Sequence, residues 1–453
     1  MGRKASKFPR EPETTGIRAL THDGRGIADS EGKTVFVDGA LPGETVEWER
    51  VRRKRNYDEA RTLSVVTASP TRAEPPCEVF GQCGGCVMQH LSLDAQLIEK
   101  QKVLEDGLTR TGGVSPAKWL PPLAADGTHY RRRARLGVRY VDGKQRVLIG
   151  FRERYKPYIT DMRRCPVLVT PVSDMIEPLI ELISGLSIVR RLPQIEVSVG
   201  DLPDGKLVSM ILRVLDPPTA EDRVLLAAFA ETHDVWLWLQ SGGPDDLEPV
   251  PRASGDCPPL YYRLPAHDLK MTFAANDFIQ VNAQMNERMI DLALDLLAPL
   301  PTDRVLDLYS GIGNFTLPIA RQAAHVHGVE GSDALTQRAL QNAADNGIDN
   351  VSFATADLSE EAGWGPLLAQ SWDLILLDPA RAGAQLFASL AGKLGARRIV
   401  YVSCNPGTLA RDAGTLVQSQ GYALSAAGVM NMFPHTAHVE SIAQFDVTDE
   451  KAG

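Results

Sequence analysis

The chain has 453 residues, 43% of them hydrophobic and 23% charged, with a formal net charge of −9. Such a length exceeds one ordinary core, and such a balance excludes disordered and fibrous classes in favour of a soluble globular protein of two to four domains. No apolar run approaches the length of a bilayer-spanning helix, so no membrane partner is expected. The negative total hides a division. Residues 1–164 carry 30 Lys and Arg against 21 Asp and Glu (+9), and the remainder carries 18 against 36 (−18). A basic front suits a polyanion partner, and an acidic back suits a domain that does chemistry. The start, Met1-Gly-Arg-Lys-Ala-Ser-Lys7, has no apolar core and is not a secretory signal. Gly2 with Ser6 fits the loose myristoylation pattern, which is read here as a chance match in a basic tail. Six cysteines are too few for a disulfide scaffold, and three of them fall within residues 77–86. That clustering suggests a metal site in a reducing, cytoplasmic setting.

Residues 13–67 alternate short β-rich runs with the turn pairs Asp23-Gly24, Glu31-Gly32, Asp38-Gly39 and Pro42-Gly43. Five strands in that span predict an OB-like barrel, a fold that often binds single-stranded nucleic acid. Arg52-Arg-Lys-Arg55 would put a cationic patch on its rim, and Asp23-Gly24-Arg25-Gly26 a basic turn against a phosphate backbone. Next comes Cys77-x5-Cys83-x2-Cys86, in which Gly84 and Gly85 let Cys83 and Cys86 face one centre. Cys165, followed by Pro166, is the best fourth ligand. Four thiolates fit either zinc or an iron–sulfur cluster. The spacing differs from the C-x3-C-x2-C array of radical enzymes.

Residues 91–110 read as a helix with a charged face. Tyr130-Arg131-Arg-Arg133-Ala-Arg135-Leu-Gly-Val-Arg139-Tyr140 alternates arginine with apolar residues and pairs through Asp142-Gly143 with residues 147–151. One face of that hairpin is expected to offer guanidinium and aromatic planes to RNA. Residues 166–270 look like an α+β unit, with a Pro-rich loop at 243–259 in which Cys257 has no evident role.

From Val305 strands and helices alternate, as in a doubly wound Rossmann-like sheet. Val305-Leu-Asp307-Leu-Tyr309-Ser-Gly311-Ile-Gly313-Asn314 is strand then Gly-rich turn; a second strand closes on Glu330, a third precedes Asp357, and a fourth ends at Asp378. The fifth, residues 398–402, leads into Ser403-Cys404-Asn405-Pro406, so Cys404 sits at the ligand-binding edge just ahead of a helix N-terminus that would lower its pKa. A Gly-rich turn and an acid ending the second strand hold an adenosine ribose. Thr316 stands where an NAD site carries its third glycine, which favours S-adenosylmethionine over NAD. Glu330 would take the ribose hydroxyls, Asp357 the adenine amino group, and Asp307 would anchor the loop.

Together these residues resemble the RNA uracil-C5 methyltransferases, closest to the iron–sulfur 23S ribosomal RNA (uracil-5-)-methyltransferases with an N-terminal TRAM domain. The most specific marks are Phe278-Ile-Gln280-Val-Asn282, Asp378-Pro-Ala-Arg381, Ser403-Cys404-Asn405-Pro406 and Phe433-Pro-His435-Thr-Ala-His438-Val-Glu440. The resemblance implies an α/β fold: a TRAM-like OB barrel at 10–69, a middle α+β domain with the cysteines at 70–270, and a Rossmann-like methyltransferase domain at 271–453. It implies that Cys404 is the nucleophile and Glu440 the general base. It further implies that Gln280, Tyr309, Asn314, Glu330, Asp357 and Asp378 contact S-adenosylmethionine, and that Cys77, Cys83, Cys86 and Cys165 hold a [4Fe-4S] cluster. The expected substrate is ribosomal RNA, with transfer RNA as the alternative and a non-catalytic RNA-binding iron–sulfur protein behind both. No obligate protein partner is evident.

Overall fold

A computed structural model describes residues 11–243 and 245–448. The basic tail at 1–10 lies outside them, as do the outermost residues of the first and last expected units. Among the described residues, no helix is long and apolar enough to cross a membrane.

Residues 13–67 form a six-stranded sheet in the order Glu13–Gly16, Thr45–Arg53, Tyr57–Thr67, Lys33–Asp38, Gly26–Ser30, Ala19–Leu20. Both edge strands are pieces of one run of chain. Glu13–Gly16 pairs with residues 45–48, and Ala19 and Leu20 pair with Ile27 and Gly26. Between them the Ile17 N–H donates to Glu44 O at 2.8 Å and the Arg18 N–H to Ile27 O at 2.9 Å. That change of partner divides the run at 13–20 into two strands, and six strands appear where five were expected. The inner face holds Val35, Val37, Val46, Trp48 and Ala60, set by alternate burial along Thr45–Arg53.

The middle of the chain builds a second six-stranded sheet from Leu247–Pro249, Val235–Gln240, Gly205–Arg213, Gln194–Leu202, Arg133–Val141 and Arg146–Gly150. Helix Ile176–Gly185 covers it with Ile176, Leu179, Ile180 and Ile183, the spacing of one helical face. Packing crosses the expected boundary at 270. Helix Leu93–Gly107 buries Leu97 and Leu104 with Ile375, Ile399 and Leu409, and Lys118–Trp119 adds an edge strand beside Tyr422–Met430. Residues 93–119 therefore belong to the core of the C-terminal sheet.

That sheet has eight strands, in the order Val351–Thr355, His325–Glu330, Arg304–Leu308, Leu374–Leu377, Arg398–Ser403, Glu440–Val447, Tyr422–Met430 and Lys118–Trp119. The first five pair in parallel, and Glu440–Val447 is antiparallel to both its neighbours. Leu374–Leu377 and most of Arg398–Ser403 are buried on both faces, as a sheet with helices on each side requires.

The arginine hairpin departs from its expected role. Arg133–Val141 does pair with Arg146–Gly150, but the register turns Arg132 and Arg133 inward. Arg132 is buried, its guanidinium 4.6 Å from the Tyr262 ring centroid, and its Nε donates to Gln280 O at 2.9 Å. Arg133 donates to Ser198 Oγ at 3.0 Å, to Asn276 O at 3.1 Å and to Asp277 O. These groups hold the loop that carries Phe278 and Gln280. Arg135 and Arg139 stay exposed, and Arg135 is paired with Glu196 at 2.8 Å. The pattern fixes a strand but not which partner each face meets.

The front and back halves are joined by Gln96, on helix Leu93–Gly107 and fully buried. Its amide donates to Met88 O and Leu91 O at 3.0 and 2.7 Å, and its Oε1 accepts the His435 N–H at 2.8 Å. Val87 and Met88 N–H groups both donate to His435 O, at 2.8 and 3.0 Å. Gln96→Leu strips partners from three buried backbone groups, a loss of about 2–4 kcal/mol. Thermal melts should show the apparent midpoint falling by several degrees; an unchanged midpoint would refute that joint.

Candidate active site

A cleft of about 520 Å³ opens at the C-terminal edge of the large sheet, lined by Gln280, Tyr309, Asn314, Glu330, Asp378, Arg381, Cys404, His438 and Glu440 among others. Seven of the eight residues expected to be catalytic or cofactor-binding thus converge there. Asp357 is the exception: it is exposed, does not line the cleft, and its carboxylate accepts from Ser359 N and Oγ at 2.9 and 2.7 Å.

Strand register explains the convergence. Leu308 pairs with Leu377, and Leu377 with Tyr401, so Tyr309 and Asp378 lie one residue past paired positions and Cys404 follows two residues beyond the last strand's Val402. Arg398–Ser403 runs antiparallel to Glu440–Val447 with Ser403 opposite Ser441. Cys404 and Glu440 come next along that register, and both line the cleft. The Ser441 hydroxyl ties the pair by donating to Ser403 O at 3.1 Å.

The Gly-rich turn is held tightly. Tyr309 has φ +64°, with Gly311 at +55° and Gly313 at +91°, in the left-handed region that side chains disfavour. Gly311 and Ser332 N–H groups donate to the two carboxylate oxygens of Glu330, each at 3.1 Å. Asn314 accepts from the Tyr262 hydroxyl at 2.7 Å and exchanges amide bonds with Asn286 at 3.1 and 2.9 Å. Gln280 Nε2 reaches Asp378 Oδ2 at 3.4 Å. Asp307 is buried beneath the turn and accepts from the Thr316 hydroxyl, while its Oδ1 has no partner.

Burial, reinforced by neighbouring carboxylates, lifts Asp307 to about 7, and burial lifts Asp378 to about 7. Glu440 is pushed well above the usual carboxylate range by burial and by Asp378, against the pull of Lys100 and Arg381. The Cys404 thiol also rises, through burial, Glu440 and Asp378, with Arg381 opposing. This corrects the expectation that the following helix lowers it. The first turn of helix Pro406–Ser419 is engaged locally: Asn405 accepts the Gly407 N–H at 3.0 Å and donates to Arg381 O at 2.9 Å.

Two residues at this site were absent from the sequence reading. Lys100 is fully buried, and its Nζ donates to Asn431 Oδ1 and Phe433 O, both at 2.9 Å. Tyr262 carries the stack and bond described above. Neither sits in a local pattern that marks it.

The four expected metal thiols, Cys77, Cys83, Cys86 and Cys165, line one small cavity with Val79, Phe80, Phe151, Met162 and Val167. Burial raises all four, Cys86 to about 12 and Cys165 to about 11. Among the described residues, no three or more His, Cys, Asp or Glu are grouped so as to hold a single metal ion.

Strand-end acids around a Gly-rich first turn of a doubly wound sheet define a nucleotide-cofactor site of the methyltransferase kind. A family model described as tRNA (Uracil-5-)-methyltransferase matches residues 261–363 and 366–445. The 23S rRNA (uracil(1939)-C(5))-methyltransferase RlmD of Alkalilimnicola ehrlichii is 48% identical over 98% of this chain and 99% of its own length. The protein of the same name from Methylococcus capsulatus is likewise 48% identical, over 98% and 99%. Among solved structures, the Pyrococcus abyssi tRNA (uracil-54, C5)-methyltransferase in complex with S-adenosyl-L-homocysteine aligns with a TM-score of 0.72 at 25% identity, covering 96% of this chain and all of that one. The chain belongs to the RNA uracil-C5 methyltransferase family, enzymes dependent on S-adenosylmethionine.

Asp307 keeps its proton up to about pH 7 when folded but only to 3.8 ordinarily. A raised carboxyl pKa costs stability above pH 7, and the cost fades as the pH falls toward 4. Asp307→Asn should therefore raise folding stability at pH 8 by roughly 1–3 kcal/mol, with the gain gone near pH 4. Denaturant titrations at the two pH values test this; an equal effect at both would contradict it.

Proposed function

We propose that this protein transfers the methyl group of S-adenosylmethionine to C5 of one uridine in 23S ribosomal RNA, the one its relatives are named for, in the cytoplasm. The observation that carries the reading is that Cys404 and Glu440, at the ends of adjacent strands, line one cleft with Tyr309 and Asn314 of the Gly-rich turn. Ribosomal RNA is favoured over transfer RNA by relatives 48% identical along nearly the whole chain, against 25% for the transfer RNA enzyme.

The site's residues suit each step. C5 of uracil is a weak nucleophile until Cys404 adds its sulfur to C6, which makes the ring an enolate. S-adenosylmethionine supplies an electrophilic methyl group. With C5 methylated, Glu440 takes the C5 proton, the C6–sulfur bond breaks, and Cys404 departs as thiolate. Arg381, exposed at the cleft and 3.2 Å from His438, opposes the carboxylates that hold the Cys404 proton. Gln280, Tyr309, Asn314, Glu330 and Asp378 are assigned to the donor, and Asp357 to its adenine end from outside the cleft lining. C5 is hidden in stacked RNA, so the uridine must be flipped into the cleft at a cost of a few kcal/mol.

The N-terminal sheet is read as the OB-like TRAM barrel that grips RNA. Support comes from the run at 13–20, which supplies both edge strands of the sheet, and from the exposed Arg52, Arg53 and Arg55 at and just beyond the end of Thr45–Arg53. For Cys77, Cys83, Cys86 and Cys165 the family resemblance proposes a [4Fe-4S] cluster. Cys77, Cys83, Cys86 and Cys165, which line one small cavity, would be the thiolates that hold it. Such a group would supply rigidity, since four cysteines leave no iron free.

Cys404→Ala should bind RNA and make no methyluridine, and RNA bearing 5-fluorouridine at the target should trap a stable adduct with the wild type, because fluorine cannot leave as a proton. Turnover by the variant, or no adduct on a verified substrate, overturns the mechanism. Anaerobically purified protein should contain iron and acid-labile sulfide near four per chain; stoichiometric zinc would rule the cluster out.

A further inference from the structure

Lys100 lies where two halves of the chain meet. It sits on helix Leu93–Gly107, is 1% exposed, and reaches Asn431 and Phe433, 331 and 333 residues away. Both of its partner atoms are acceptors, a side-chain amide oxygen and a backbone carbonyl. Those two acceptors take two of the three N–H groups of the ammonium and leave the lone pair of a neutral amine unused. A buried ammonium is costly unless a negative charge stands near it. Glu440, itself buried, pairs across the strands with Met430, the neighbour of the Asn431 that holds Lys100, and it is the carboxylate whose field reaches the lysine.

Every charged group facing Glu440 can be named. Asp378 approaches from the end of Leu374–Leu377 and disfavours its ionisation; Arg381, from the turn beyond, and Lys100, from the helix, favour it. Cys404 faces it from the end of Arg398–Ser403, and His438 precedes it on its own loop, bonded to Arg381. Arg381 is exposed and its charge is screened, whereas Lys100 is buried and its field is not. The coupling is mutual, because Glu440 raises the pKa of Lys100 against the desolvation that draws it to about 7.

We infer that Lys100 is a positioning residue for the reaction: its ammonium, fixed by Asn431 and Phe433, keeps Glu440 a carboxylate so that it can accept the C5 proton. This rests on the reading of Glu440 as the general base. Lys100 touches neither substrate nor donor; it acts through Glu440. Asn431 and Phe433 hold the charge in place, and the Gln96–His435 bonds one helical turn away fix the loop between them and Glu440.

The test separates methyl transfer from proton removal in the full-length enzyme, using substrate RNA tritiated at uridine C5 and scoring both the denaturation-stable protein–RNA adduct and tritium release between pH 6 and 9. Lys100→Met removes the charge, and Lys100→Gln removes it while keeping an amide donor for Phe433 O, so a folding defect in the first leaves the second informative. Tritium release should slow about tenfold or more near pH 7 while methylated adduct accumulates, and the acid limb should move up by about one pH unit, so that release recovers at pH 9. A uniform fall at all pH values, or an acid limb in its wild-type place, overturns the inference. Glu440→Gln run in parallel should stall with adduct at every pH. If that variant still releases tritium, the general-base reading itself falls; if it stalls and both Lys100 variants keep the wild-type limb, only the role of Lys100 falls.

Discussion

Four carboxylates, Asp307, Glu330, Asp378 and Glu440, are carried to one edge of the large sheet, and their mutual repulsion out of water is the constraint the rest of the site answers. Parallel strands place three of them there, Glu330 ending its strand and Asp307 and Asp378 lying one residue from a strand end, while Glu440 begins the antiparallel strand Glu440–Val447. Each is met differently. Glu330 is spent on two backbone N–H groups of the turns beside it. Asp307 has a hydroxyl on one oxygen and nothing on the other. Asp378 has a single long amide contact, and Glu440 depends on cations brought from other elements. The three that are raised, Asp307, Asp378 and Glu440, mark where negative charge is least relieved. A ligand with a positive centre removes that cost on entering, which suits a sulfonium donor better than its neutral product.

The front half answers the same constraint with its arginines. Arg132 and Arg133 spend their donors on Gln280 O, Ser198, Asn276 O and Asp277 O, so they orient the loop bearing Phe278 and Gln280 toward the acids. The charge left to meet a polyanion is smaller than the count of basic residues suggests. Exposed Arg52, Arg55 and Arg139 are among the charges left to meet it.

Much of this was legible in the order of residues. The strand–helix alternation, the Gly-rich turn and the strand-end acids are local signals, and each survives folding because a parallel sheet carries strand ends to one edge. Cysteines spaced as 77, 83 and 86 announced their convergence through Gly84 and Gly85, though not the way they spread around a cavity. What was not legible is contact between remote segments. Alternating arginine and apolar residues specify a strand, but only the partner loop at 275–282 decides that Arg132 faces inward. Glu440 looked like any acid beside a β-run until the family resemblance marked it, and only the antiparallel register shows it beside the strand that leads into Cys404. The thiol was expected to be acidified by the helix after it, yet burial and two carboxylates act more strongly on it. Lys100 carries no signature, since a lysine on a charged helix is ordinarily solvated.

The bonds that tie Val87, Met88, Gln96 and Lys100 to residues 431–435 reach across more than 330 positions of the chain. Closing so long a loop adds little entropy beyond a loop half its size, about 0.6 kcal/mol, but it sets an order of events. During synthesis the front quarter emerges first and has nothing to dock against until the last strands exist. A chain without its front part loses the groups that seat the loop before Glu440 together with the helix and edge strand that complete the large sheet. Competence is thereby reserved for the whole polypeptide.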